Sequence, residues 1–133
     1  MNLLKYTDLY KVHCRMTDKK KILLTFYRTR SGREPVREWY KAQPKEDRNA
    51  IGHDLGSAQW AWPVGMPLCK PMGAGLYEIR TTLPSHRIAR TLLIYWQGQL
   101  VALHAFIKKT RTTPHADVTL ARTRQKEIEH EKE

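Results

Sequence analysis

A chain of 133 residues fits one domain around a single hydrophobic core, which excludes multidomain readings. With 41% apolar and 28% charged residues it is neither a disordered tail nor a low-complexity repeat. Lys plus Arg number 24 against 13 Asp plus Glu, and this net charge of +11 points to phosphate-bearing partners. The charge is uneven. Residues 1–30 carry eight basic and two acidic groups and residues 68–111 seven against one, while the segments 31–67 and 112–133 are near balance. No apolar run approaches the roughly 20 residues of a membrane helix and no signal peptide opens the chain, so the expected setting is cytoplasmic, with no membrane partner. Cys14 and Cys69 lack metal-ligand or disulfide-framework spacing.

Residues 1–21 end in a cationic run and read as an N-terminal extension; residues 22–133 read as one domain. Ile22–Tyr27 is short, apolar and β-prone, a strand. Ser31 and Glu34 match a capping box, and Pro35 suits a first turn, so a helix is predicted from here, with Val36, Trp39 and Tyr40 on one face. Pro44 restarts the chain, and Ala50, Ile51, Leu55 and Ala58 continue at helical spacing despite Gly52 and Gly56. From Gln59 to Gly75 the Pro, Gly and Trp content predicts a long ordered connection with a short strand near Leu68–Lys70. Leu76–Thr82, His86–Trp96 and Gln99–Lys108 read as a three-stranded antiparallel meander. Thr113 and Pro114 then supply an N-cap and a first helical position for a last helix bearing Ala116, Leu120, Ala121 and Ile128. The predicted order is β-α-α-β-β-β-α, an α+β fold whose two N-terminal helices cover one face of an antiparallel sheet, leaving the other face for function.

Alternation in the predicted strands puts basic side chains, among them Arg80 and Arg90, on a rigid sheet, and the planar fork of Arg suits phosphate oxygens. Lys108, Lys109 and Arg111 follow at a strand exit, and Lys70 lies in the preceding connection; together they form a candidate phosphate-binding set. Between Leu68 and Arg111 the only acid is Glu78, so paired-carboxylate and two-metal sites lack ligands there and no metal or other cofactor is expected. RNA carries its own nucleophile in the 2′-hydroxyl, so a metal-free site needs only a base, a cation and an acid. The chain holds such groups in quantity.

Leu76-Tyr-Glu-Ile-Arg80, His86-Arg-Ile, Leu103-His-Ala-Phe-Ile-Lys-Lys-Thr110 and Thr113-Pro114 with the following helix resemble the phage-derived HigB-like branch of the RelE toxin superfamily. The similarity runs from Ile22 to Ile128, and Phe106–Pro114 is its most specific stretch. It implies a RelE-like fold and the toxin of a type II toxin-antitoxin pair, a metal-independent endoribonuclease that cuts mRNA on the ribosome. The implied partners are the ribosome, mRNA and a cognate antitoxin, expected as a small helix-turn-helix protein. By motif, the catalytic positions fall on Arg80, Arg87 and Lys109, with Lys108 beside the last. Where RelE has a tyrosine early in the last helix this chain offers His115, and Glu78 stands where RelE has a lysine.

Other residues read as structural. His104, inside an apolar run, reads as a hydrogen-bonded core histidine, and Trp39, Tyr40, Trp60 and Trp62 as core or loop anchors. The alternative function is a non-catalytic basic module, either a ParE-like gyrase inhibitor or a nucleic-acid-binding regulator; it would not require Arg80, Arg87 and Lys109 to share one sheet face.

Overall fold

The computed structural model describes residues 21–109, 111 and 113–131; the proposed extension lies outside them except for Lys21. Five strands form one sheet: β1 (Leu24–Phe26), β2 (Cys69–Gly73), β3 (Leu76–Thr82), β4 (Ile88–Trp96) and β5 (Gln99–Ile107), in the spatial order β1-β5-β4-β3-β2. Helices α1 (Pro35–Lys41), α2 (Lys45–Ala61) and α3 (His115–Glu131) complete a mixed α+β fold.

The meander is antiparallel as predicted, with β4 and β5 joined through Gln97 and Gly98, both at positive φ, which matches the twist of the flanking strands. Two features depart from the expected sheet. The strand near Leu68–Lys70 is longer, running over Cys69–Gly73 as an edge beside β3. The first strand pairs parallel with the last, Leu24 beside Leu100 and Phe26 beside Ala102, so the sheet is mixed rather than antiparallel. A parallel pair needs a long crossover, which the chain from α1 through β4 supplies.

Both N-terminal helices pack on one face, as expected. Ile51, Leu55 and Ala58 of α2 meet Ile79, Ala89, Leu93 and Leu100 in a closed core, and Val36 of α1 meets Ala102 and Ala105. That burial sustains α2 through Gly52 and Gly56, against their low intrinsic propensity. The capping box does not form. Helix α1 starts at Pro35 without a side-chain cap; Glu34 pairs instead with Arg28 and Arg37, and Ser31 bonds Thr29. Burial pushes the Tyr40 hydroxyl, bonded to Thr91 at 2.8 Å, above its ordinary range and the Cys69 thiol up to about 11. Trp62 packs against Tyr77 and Tyr95, whereas Trp60 is 51% exposed and anchors no core.

The opposite face is not left open. Ala121, Val118 and Ile128 of α3 cover Leu76, Leu92, Ile94, Val101 and Leu103, because those strand residues are apolar at this end of the sheet. Among the described residues, polar side chains gather at the other end. A β-bulge in β5 shapes it: Leu92 lies beside His104 but Leu93 beside Ala102, so Leu103 and His104 both fall on the α3 face.

Candidate functional site

Register places three rows from the margin of α3 outward: Lys70, Glu78, Leu92 and His104; then Arg80, Arg90 and Phe106; then Ile88 and, one residue past β5, Lys108, whose N–H donates to the Ile88 carbonyl at 2.7 Å. At the centre is a buried ion pair. Arg90 Nη1 lies 3.1 Å from Glu78 Oε2, with side-chain exposures of 4% and 1%. The Thr113 hydroxyl accepts from Arg90 and donates to Glu78, and Arg90 Nη2 donates to the Arg111 carbonyl at 3.0 Å. Burying two charges is costly unless their remaining hydrogen-bonding capacity is met. Here the connection into α3 supplies partners to both Nη groups of Arg90, while its buried Nε has none among the described residues, so Glu78 and Arg90 hold Arg111 and Thr113 against the sheet. Thr113 thus serves this network instead of capping α3, which opens one residue later than expected, at His115.

The half-buried Arg80 and Lys108 and the exposed Arg111 surround this pair. Lys108 records their proximity: partial burial first, then the charges of Arg90, Arg80 and Arg111, hold its ammonium below the ordinary lysine range, against a smaller opposing pull from Glu78. Like charges crowded on one side of a sheet are stabilised by an incoming anion. Lys70 is exposed on the edge strand in the Glu78 row, and Lys109 is exposed beyond Lys108.

Of the eight basic or titratable residues nominated from the sequence, Arg80, Arg90, Lys108 and Arg111 come together. Arg90 is the exception in kind, since its guanidinium is buried and committed to Glu78, Thr113 and the Arg111 carbonyl. Arg87 does not join them. The strand β4 begins at Ile88, not His86, because His86 turns with φ 67°. Arg87 therefore leaves from the turn, and its Nη2 reaches Asp47 on α2 at 2.9 Å while its Nε donates to Ser85 at 3.0 Å. Arg80, Arg87 and Lys109 consequently do not share one sheet face. His115 is exposed at the first position of α3 and faces Thr119, with Nε2 3.3 Å from its hydroxyl.

Two groups escaped the sequence reading. Asp47 is buried, and although burial raises its pKa, the bonds from Arg87 and Ser85 outweigh this and hold the carboxyl below its ordinary value. Because the folded value is below the unfolded one of about 3.9, its stabilisation is fully present above that pH and is lost as pH falls through the folded value. Arg87→Ala should lower the thermal midpoint at pH 7 and flatten its fall on acidification, measured by circular dichroism between pH 7 and 2. Asp117 of α3 bonds His104 Nε2 at 2.6 Å, and the imidazole stacks on Phe106 with centroids 5.5 Å apart. His104 is hydrogen-bonded as expected, but its partner lies on α3. The signal for Asp47 was its place in the first turn of a predicted helix; the His104 partner had none, since the bulge that aims the ring is not visible in the residue pattern.

Chemically, the cluster can bind a phosphodiester and stabilise added negative charge on it, as preorganised cations do in a partly desolvated site. Among the described residues no helix is long and apolar enough to cross a membrane. No curated protein matches the chain. Residues 38–126, from α1 through most of α3 and including every residue of the cluster, match the family described as Phage derived protein Gp49-like (DUF891). The chain thus belongs to the phage-derived Gp49-like family, one of the RelE-type toxin families of toxin-antitoxin systems.

Proposed function

We propose that this protein is the toxin of a type II pair, of the HigB-like branch, and that it cleaves mRNA on the ribosome without a metal. The observation that carries the reading is the crowding of Arg80, Lys108 and Arg111 around the buried Glu78–Arg90 pair, on the part of the sheet beyond the apolar contacts of α3. In this reading the 2′-hydroxyl attacks the adjacent phosphorus, its proton passes to a base, and the 5′-oxygen leaves with a proton from an acid, giving a cyclic phosphate. Arg80, Lys108, Lys109, Arg111 and Lys70 bind the phosphates and offset the charge of the phosphorane. His115 is the proposed proton-transfer group. Arg87 braces the turn before β4, and Arg90 holds the phosphate-binding segment in place.

The deciding experiment incubates the purified chain with mRNA, with and without ribosomes, and in parallel with gyrase and supercoiled DNA. Cleavage confined to the ribosome reaction supports the reading. Intact RNA with inhibited gyrase replaces it with the ParE-like, non-catalytic one. Five cations meeting phosphates predict that log Kd for single-stranded RNA varies against log salt with a slope of about 3.5 in magnitude; a flat response removes the cluster from the contact surface. For His115→Ala, single-turnover cleavage should drop by about 10²–10⁴ with binding little changed. A loss under tenfold leaves the reaction to the cationic cluster alone.

A further inference from the structure

A second concavity lies at the opposite end of the sheet. Arg90 and Trp96 are six residues apart on β4, so it is roughly 20 Å from the basic cluster at a strand rise of about 3.3 Å per residue. This cleft of about 1000 Å³ runs between the segment 25–30, the β4–β5 turn and the C-terminal half of α3. Phe26, Val101 and Ile128 give it an apolar part, and Arg28, Arg30, Lys126 and His130 line its polar part. Among the described residues, the one acid of its lining, Glu127, accepts a hydrogen bond from the Tyr27 hydroxyl, and Arg28 pairs with Glu34. Arg30 and Lys126 are therefore the exposed cations of this lining that pair with no carboxylate among the described residues.

Among the described residues, the strand beside the cleft is a sheet edge. Tyr27 N–H donates to the Ala102 carbonyl and Leu100 N–H to the Leu23 carbonyl, so the odd-numbered residues of this segment face β5. By alternation the main-chain N–H and C=O groups of Leu24 and Phe26 point away from the sheet. An outward edge alternates donors with acceptors, which matches the main chain of an extended peptide; a phosphate backbone only accepts. The occupant that fits both the edge and the cations is an acidic polypeptide.

We propose that the cleft seats an extended acidic segment of the antitoxin, its main chain along the outer edge of β1 and its carboxylates on Arg30 and Lys126. The proposal rests on the toxin reading, and it places the antitoxin contact away from the phosphate-binding cluster, so inhibition would come from the bulk of the bound partner at the ribosome rather than from substitution for RNA.

The test uses the full chain with the protein of the adjacent reading frame. Expression of the chain alone should arrest growth and co-expression should restore it; a harmless lone chain overturns the toxin reading and this proposal with it. Given rescue, the double variant Arg30→Glu, Lys126→Glu should weaken the complex at least tenfold while leaving the thermal midpoint and binding of a short RNA oligonucleotide unchanged. Hydrogen exchange on the unaltered proteins gives a readout independent of any variant: the amides of Leu24 and Phe26 should gain protection in the complex. Unchanged affinity with unprotected amides overturns the docking site and leaves the toxin reading standing. A variant that loses RNA instead makes the cleft an RNA path, and amides already protected in the free chain assign the edge to another part of this chain; either result overturns the proposal.

Discussion

Glu78→Ala should lower the stability of the folded chain by about 3–5 kcal/mol, because it leaves the Arg90 guanidinium buried without its counter-ion. For a domain of this size that corresponds to a fall in thermal midpoint of roughly 10–20 °C, read by circular dichroism. Thr113 would lose its acceptor as well, so the damage should extend into the start of α3. The companion variant Glu78→Leu with Arg90→Met removes both charges while filling the space, and it should recover most of the loss, as apolar replacement of buried pairs often does. A single variant that costs under 1 kcal/mol would show that water reaches the pair and that it does not hold Arg111 and Thr113 in place. The double variant is also informative about function, since it restores stability without restoring the guanidinium that grips the Arg111 carbonyl.

The second large effect is on activity. Arg80→Ala and Lys108→Ala should each reduce cleavage by roughly 10²–10³, the usual consequence of removing one preorganised donor to developing charge. Stability should move little, within about 0.5 kcal/mol, because both side chains are partly exposed and relieving the crowding of like charges offsets lost packing. Thermal midpoints within a few degrees of the parent, combined with lost cleavage on ribosomes, would place both residues at the phosphate. If either variant keeps more than a tenth of the parental rate, the charge on this face serves binding to the ribosome rather than the bond-breaking step.

Local chemistry made much of this architecture legible. The turn at Gln97 and Gly98, the alternation in β3 and β4, and the helical spacing of Ile51, Leu55 and Ala58 are all set by near neighbours, and they appear in the fold where the residue pattern puts them. What was hidden depends on distant partners. The pairing of Leu24 with Leu100 joins the two ends of the described sheet and leaves no trace in either segment. Arg87 looked like a strand residue among other basic strand residues; its destination is set by Asp47, 40 positions away, and by the turn at His86. The candidate site was legible as a composition, seven basic groups against one acid in residues 68–111, and not as an arrangement. The lone acid proved to be its organising centre, which a count of charges could not distinguish from a stray surface carboxylate.

The extra residue in β5 acts as a phase shift in a two-beat pattern. Before it, odd positions such as Val101 and Leu103 look toward α3; after it, even positions do, among them His104, Phe106 and Lys108. The same residues run as a regular strand, without the bulge, would keep Val101 and Leu103 under α3 but turn His104, Phe106 and Lys108 toward the α1 and α2 layer, away from Arg80. The bulge thereby seats two successive residues on the α3 side, Leu103 in the apolar contact and His104 on Asp117. A descendant of this sequence that deletes Leu103 or His104 would straighten the strand and keep Phe106 and Lys108 on the α3 side, and would forfeit either the apolar contact of Leu103 or the His104–Asp117 hydrogen bond.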